Sequence, residues 1–395
     1  MAPELALAIV SLAAWLYLVF AHGGFWLADQ RLTGDVAGLL DWPEVVVVVP
    51  AREEADVVGE SLRSLLDQDY PGPYRIVLVD DDSADATAEV ARGVARVHGR
   101  GDRLRVEHSA ERPSGWVGKV WALECGLRRA RAEAPGATWW LFADADVVHG
   151  PGNLRRMVNK ARADRLSLVS LMVRLRADTR FEALLVPAFV YFFQKLYPFP
   201  LVNDPTSRVA AAAGGCVLVD REALERAGGL QVLRGEIIDD CALAAIIKPQ
   251  GPIWLGVSGE ERSVRGYGGV SGVWEMVARS AFTQLRYSGW LLGATLVGLG
   301  VLYAAPPLLL LMSGNPVAAT LGAAAWILMA VSFVPTLALY GRSPLLGFAL
   351  PLAGILYACM TLDSARRHLF SQGAEWKGRP GAGDPGAARL GGSAP

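Results

Sequence analysis

Cysteine is scarce and unpatterned in this chain. The four residues (Cys125, Cys216, Cys241, Cys359) show no CxxC spacing, which excludes a zinc knuckle and supplies no disulfide framework, so a reducing compartment is expected. Five histidines (His22, His98, His108, His149, His368) form no ligand cluster. An excess of one charge is also lacking: 38 Lys and Arg against 39 Asp and Glu leave a net charge of −1, and no global field favours nucleic acid. No GxGxxG follows the first strand-like run, so a dinucleotide site is unsupported. Apolarity is what the chain has in quantity. Its 395 residues are 52% hydrophobic with a mean hydropathy of +0.29, which leaves room for one large domain plus membrane segments.

Two apolar runs end abruptly in carboxylates. Trp139-Trp140-Leu141-Phe142 leads into Asp144 and Asp146, and Ile76-Val77-Leu78-Val79 leads into Asp80-Asp81-Asp82. Strands buried on both faces read as continuous apolar runs, and open α/β sheets bind ligands beyond the carboxyl ends of such strands. Acidic residues also punctuate strand ends merely as turn formers; two clusters in one α/β pattern favour a shared crevice. Gathering that much negative charge calls for a counter-cation, most simply a divalent metal with oxygen ligands.

The surrounding pattern supplies the sheet. Val45 to Val49 is a strand followed by Pro50, residues 53–68 have a helical period, and Pro71-Gly72-Pro73 breaks it. A helix over 84–97 and a strand over 104–106 complete a βαβαβ rhythm, so a doubly wound, mostly parallel sheet is expected. Ser114 to Lys119 is a Gly-punctuated loop opening a helix over 120–132, where a lysine and a helix N-terminus both suit a diphosphate. A helix between 151 and 165 and a strand over 166–175 follow. At Gly214-Gly215 backbone can approach a ligand closely. A third acidic pair, Asp239-Asp240, precedes the helix 241–247; acids there also simply complement the helix dipole.

Residues 5–27 are apolar and long enough for one spanning helix. A signal peptide is the competing reading, opposed by the acidic start at Glu4 and the missing small-residue cleavage site. Residues 181–201 are rich in aromatics but interrupted by Pro187, Lys195 and Pro198. They read either as an interfacial segment and lipid-facing wall or as an ordinary core helix. An amphipathic helix after Trp274 carries Arg279, Gln284, Arg286 and Tyr287, and apolar segments follow at 290–312, 317–339 and 345–362. Three further spans after a cytosolic domain would put Arg366, Arg367 and Lys377 outside, against the positive-inside tendency. Either one segment is re-entrant or interfacial, or the count differs. The expected division is an N-terminal anchor (1–28), a catalytic domain (29–271), an interfacial helix (272–288), a membrane region (289–363) and a largely disordered tail (364–395), disordered beyond Arg379.

The ordered set Pro50-Ala51-Arg52-Glu53-Glu54, VDDDSADAT, GWVGKVWALECG, FADAD, AAAAGGC, IIDDC and TQLRYS resembles the family-2 glycosyltransferases, whose nucleotide-sugar domain has the GT-A fold. The resemblance covers residues 45 to about 290. The segments SLMV, LVPAFVYFFQKLYPF, AAAAGGC and RSAFTQLRYS are most similar to the hopene-associated glycosyltransferases of bacterial hopanoid gene clusters. It implies a donor site of Pro50, Arg52, Glu54, Asp80, Asp81, Lys119, Asp144, Gln284 and Tyr287, with Asp80 and Asp81 on base and ribose. It implies Asp144 and Asp146 as the DxD pair on ribose and a divalent metal, Mg²⁺ or Mn²⁺. Asp239, Asp240 and Arg286 become the catalytic set, Asp240 the general base, and Gly214 and Gly215 lie on the acceptor side. Glu53 replaces the usual Asn of PxxNE, Asp82 a common Gly, Thr283 the usual Gln or Arg (with Gln284 one step late), and Tyr287 a Trp. The last two departures argue against a processive polysaccharide synthase.

The resemblance implies inverting transfer of a sugar from a nucleotide donor, a UDP-sugar, to a membrane lipid of hopanoid or polyprenyl type. It places the protein in the inner (cytoplasmic) membrane as a multi-pass chain with its catalytic domain facing the cytoplasm. Two other classes stay open: a catalytically silent protein that binds lipid or nucleotide, and a nucleotidyltransferase releasing pyrophosphate.

Overall fold

The computed structural model describes residues 2–32, 41–370, 375–376 and 379–380. The chain divides into two compact units: Met1–Asp29, Ala177–Leu201 and Gly266–Gln372 form one, and Gln30–Arg176, Val202–Arg265 and Gly373–Pro395 the other. The domain expected over 29–271 is thus interrupted by residues 177–201, which group with the apolar helices.

In the second unit, eight strands among the described residues make one mixed sheet. They are β1 (Val45–Ala51), β2 (Tyr74–Asp80), β3 (Leu104–His108), β4 (Trp139–Ala143), β5 (Val147–Val148), β6 (Leu168–Arg174), β7 (Cys216–Asp220) and β8 (Ile253–Ser263), in the order β3-β2-β1-β4-β7-β6-β8-β5. β1 is buried throughout, as its run of five valines dictates, and pairs in parallel with β2 and β4. Ala51 lies opposite Asp80 and Val48 opposite Phe142, so the carboxyl ends of β2, β1 and β4 share one edge. β7 runs antiparallel to β4 and β6, with Cys216 beside Ala143. Its start, and Gly214-Gly215 before it, therefore sit at that same edge.

Two departures from the sequence pattern matter for the site. The helix expected from residue 53 starts only at Val58. Glu53 adopts φ 51°, and the N–H groups of Glu53, Glu54 and Ala55 donate instead to Ser83, Thr87 and Asp85. The loop after β1 is thereby zipped to the loop after β2. The 11-residue β8 was not anticipated, because its apolar run (Ile253, Trp254, Leu255, Val257) is interrupted by Gly256 and passes into polar residues from Ser258.

In the first unit, four helical stretches are long and apolar enough to cross a membrane: Pro3–Phe20, Gly289–Met312, Pro316–Leu339 and Pro344–Leu369. The aromatic stretch is the helix Glu182–Leu196, buried along most of its length. Tyr191 shares a hydrogen bond with Ser332 (2.7 Å), Gln194 donates to Thr336 (3.3 Å), and Leu185 accepts from Tyr357 (2.9 Å). Of the two readings open for it, the core helix is the one observed.

The last apolar stretch is tied at both ends by polar contacts within this unit. Arg342 donates to the Ala177 carbonyl, the 3₁₀ turn Pro344–Ala349 packs inward against Ala330, and Trp326 donates to the Phe348 carbonyl (3.1 Å). A Cβ on Gly347 would lie 2.5 Å from the Ala330 oxygen, so glycine permits the approach. The helix Leu350–Leu369 follows: Asp363 accepts from Trp274 (2.9 Å), Ser364 from the Phe282 N–H (3.0 Å), and Arg367 pairs with Glu275 (2.5 Å). Glu182 accepts from the Gly269 N–H (2.7 Å), next to the helix Val270–Ala278. We propose on these ties that the stretch is re-entrant, which would remove the charge conflict at Arg366 and Arg367. In a variant lacking the native cysteines, Leu369→Cys and Ser271→Cys are expected to react with an impermeant maleimide from the same membrane face, and Gly314→Cys from the opposite one. Labelling of residues 271 and 369 from opposite faces would restore a fourth full crossing.

The interfacial helix expected over 272–288 is broken into Val270–Ala278 and Ala281–Gln284, and Arg286 and Tyr287 follow outside it. The helix to Leu369 carries the chain past the expected start of the tail at residue 364. Lys377 and the tail from residue 381, expected to be disordered, lie outside the described residues.

Candidate active site

At the shared strand edge, Pro50, Lys119, Asp144, Gly214, Asp239 and Asp240 line one pocket. Each arrives by a different route. Asp144 follows β4, its N–H held by the Gly215 carbonyl (3.2 Å). Lys119 stands in the first turn of the helix Gly118–Glu133, and Asp239 and Asp240 in the first turn of Asp239–Ile247. Lys119 Nζ lies 2.8 Å from Asp144 and 3.8 Å from Asp239. Asp240 accepts one backbone N–H on each oxygen, from Gly214 and from Cys241, both at 2.8 Å. A Cβ at Gly214 would stand 3.2 Å from both Asp240 Oδ2 and Lys119 Nζ, so any side chain there would crowd the pair.

The charges are strongly coupled. Burial, then Asp239, pushes the Asp240 carboxyl up to about 6, against the opposing pull of Lys119 and two N–H donors. Burial also raises Asp144, with Lys119 opposing and Asp146 reinforcing. Burial alone would lower the Lys119 ammonium, but Asp144, Asp239 and Asp240 outweigh it and hold the group above its ordinary value.

Beside this pocket lies a corner that sequence reasoning missed. Asp146 Oδ2 accepts from Ser263 (2.6 Å) and pairs with Arg265 Nε (3.3 Å), while Arg265 Nη2 bonds Glu54. β5 pairs with the end of β8, and Val264 N–H donates to the Asp146 carbonyl (2.9 Å). The end of β8, with Ser263 on it and Arg265 just past it, thus pins the loop after β4. Its signal, a basic residue just past a polar strand end, is too common to single out by itself. Lys119 and Arg265 lie against the gathered acids and supply part of the positive charge they call for.

Asp80 and Asp81 lie at the end of β2, about 10 Å from the β4 end by the spacing of two strands, and do not line the pocket. Asp80 is buried and takes both the N–H and the hydroxyl of Ser83, with His108 at 3.4 Å. Asp81 accepts from Ser109 (2.7 Å), and Arg52 donates to the carbonyls of Asp81 (2.5 Å) and Asp82 (2.9 Å). Gln284, Arg286 and Tyr287 belong to the other unit. There Gln284 donates to Tyr197 (2.5 Å), and Tyr287 stacks on His368 at 4.3 Å. Arg286 and Tyr287 both adopt left-handed backbone, φ 51° and 56°, a conformation that costs a non-glycine residue roughly 1–3 kcal/mol and often marks functional segments. Among the described residues, no group of three or more His, Cys, Asp or Glu is arranged to hold a metal by itself.

The Glycosyl transferase family 2 model matches residues 46–228. The beta-monoglucosyldiacylglycerol synthase of Synechocystis sp. is 26% identical over 208 residues, which is 51% of this chain and 40% of that protein. The succinoglycan biosynthesis protein ExoO of Rhizobium meliloti is 31% identical over 161 residues, 38% of this chain and 42% of that protein. The chain spans about two fifths of the length of these curated relatives. Among solved structures, the mannosyltransferase PcManGT from Pyrobaculum calidifontis, in complex with GDP-Man and Mn²⁺, superposes with a TM-score of 0.53 at 24% identity, covering 93% of this chain and 99% of that one. That likeness is one of fold. Together with the sheet order and the acidic strand edge, the matches show that the sheet unit has the GT-A fold and that residues 46–228 are similar to glycosyltransferase family 2.

Proposed function

We propose that the protein is an inverting glycosyltransferase that moves a sugar from a nucleoside diphosphate donor, a UDP-sugar, to a membrane lipid of hopanoid or polyprenyl type. The observation that carries this reading is Asp240: a carboxylate fixed by two backbone N–H groups, poised near neutrality and facing Lys119 and Asp144. A general base is most effective when its pKa lies near the working pH. In this reading Asp240 takes the proton of the acceptor hydroxyl as that oxygen attacks the anomeric carbon. The nucleoside diphosphate leaves from the opposite face, and one displacement without an enzyme nucleophile inverts the configuration. Lys119 places positive charge beside the diphosphate, while Asp80 and Asp81 hold the nucleoside.

The residues fit a divalent metal. Glu54, Asp144, Asp146, Asp239 and Asp240 face two cations, Lys119 and Arg265; with every group charged, five against two is a formal excess of three negative charges. Mg²⁺ commonly binds through one or two carboxylates plus substrate phosphates rather than in an all-protein cage, and Asp144 and Asp146 would hold it, or Mn²⁺. Such an ion supplies Lewis-acid stabilisation of the charge on the leaving diphosphate.

The apolar helices support a lipid acceptor and a place in the inner membrane, with the sheet unit in the cytoplasm. The test uses the full chain in lipid nanodiscs with a panel of nucleotide sugars and Mg²⁺ or Mn²⁺. Release of nucleoside diphosphate together with a new glycolipid is expected, its identity read by mass spectrometry of lipids from cells with and without the protein. Release of pyrophosphate would point to nucleotidyl transfer, and no turnover with any donor to a silent binder.

A further inference from the structure

Arg265 stands just past the end of β8, outside every acidic motif, yet it spans two of them. One guanidinium nitrogen bonds Glu54, from the loop after β1, and another lies 3.3 Å from Asp146, from the loop after β4. We infer that Arg265 is an exchangeable counter-cation: it occupies the Asp146 carboxylate while donor and metal are absent, and turns to the donor diphosphate when they bind. The inference rests on the reading of this edge as a donor site.

Three features carry it. The backbone here is locked, by the Val264 N–H on the Asp146 carbonyl and by the pairing of β5 with β8, so any exchange of partners falls to side chains. The oxygen that Arg265 contacts, Asp146 Oδ2, also accepts from Ser263 (2.6 Å) and belongs to the carboxylate that would hold a divalent ion. The Arg265 guanidinium would be repelled from Asp146 by two positive charges held on that carboxylate. The Arg265 side chain is 38% exposed while Glu54 is 8% exposed, so the buried Glu54 tethers one edge of the fork and the rest is free to swing. A planar guanidinium then offers two parallel donors to phosphate oxygens, a geometry that lysine does not reproduce.

The test measures binding on the purified full chain in detergent, with Mn²⁺ alone followed by electron paramagnetic resonance, and with UDP or GDP in the presence of Mn²⁺ by calorimetry. Thermal melting checks that each variant is folded. For Arg265→Gln, Mn²⁺ alone is expected to bind more tightly by roughly tenfold, because a competing cation is gone. The nucleoside diphosphate is expected to bind more weakly by about 10–100-fold, because a phosphate ligand is gone. Arg265→Lys keeps the charge and should leave Mn²⁺ affinity near the wild-type value while recovering only part of the nucleotide affinity. An arginine that merely braces Glu54 and Asp146 would weaken both affinities together in Arg265→Gln; that result, or no change in either, overturns the inference alone. A wild-type chain that binds neither nucleotide nor Mn²⁺ overturns the donor-site reading and this inference with it.

Discussion

Asp240→Asn lowers sugar transfer by about 10²–10⁴-fold, the usual contribution of a positioned general base, while nucleotide binding stays near the wild-type level. The substitution is nearly isosteric, and the asparagine oxygen can still accept one of the two N–H groups, from Gly214 or Cys241, that hold the aspartate. It also removes one of two adjacent half-buried negative charges, so the fold is expected to survive. The wild-type pH profile supplies the second readout. Asp240 works as a base only when unprotonated, and its carboxyl is pushed up to about 6, so kcat/KM rises with pH through about 6 and levels off above. That limb is absent in Asp240→Asn. In Asp239→Asn it moves to lower pH, because Asp239 is the neighbouring charge that raises Asp240. Normal transfer by Asp240→Asn would remove it as the base.

How legible this site is depends on which physical signal places each residue. Asp80, Asp144 and the strands before them are readable, since a run such as Val45 to Val49 has no stable place other than a buried strand, and acids at its neighbours' ends must emerge at one edge. Asp239-Asp240 is ambiguous in sequence because a helix N-terminus explains acids without any site; only the 2.8 Å bond from the Gly214 N–H brings Asp240 into the pocket. Arg265 is not legible, since its role depends on β8 lying beside β5, a non-local pairing that no local pattern encodes. The broken helix at Arg286-Tyr287 escapes for a related reason. Of its two left-handed residues, Tyr287 stacks on His368, some 80 positions along the chain. The last apolar stretch has the hydropathy of a span, and its polar ties at Arg342, Asp363 and Ser364 depend on partners distant in the sequence.

Lys119→Met separates the electrostatic account from a purely geometric one. Lys119 interacts with Asp144, Asp239 and Asp240 together, and its side chain is only 20% exposed. Removing one member of a buried charge group leaves the others uncompensated, at a cost of about 3–5 kcal/mol. The sign of the pH dependence follows from the carboxylates. Asp144 and Asp240 already titrate above their ordinary values, with Lys119 as the influence that lowers them, so its loss raises both further. A carboxyl whose folded pKa exceeds its unfolded value favours the folded state at low pH, and that contribution is lost as pH rises through the folded value. The variant should therefore melt close to wild type near pH 5 and fall progressively below it toward pH 8. Its activity limb should shift upward from about 6, with transfer at pH 7 down at least roughly tenfold as the base becomes protonated. Melting temperature and kcat/KM, each followed from pH 5 to pH 9 for both proteins, check this together. A stability gap that stays constant across that range would mean that Lys119 contributes packing rather than charge, and the coupling between the lysine and the base would be lost from the mechanism.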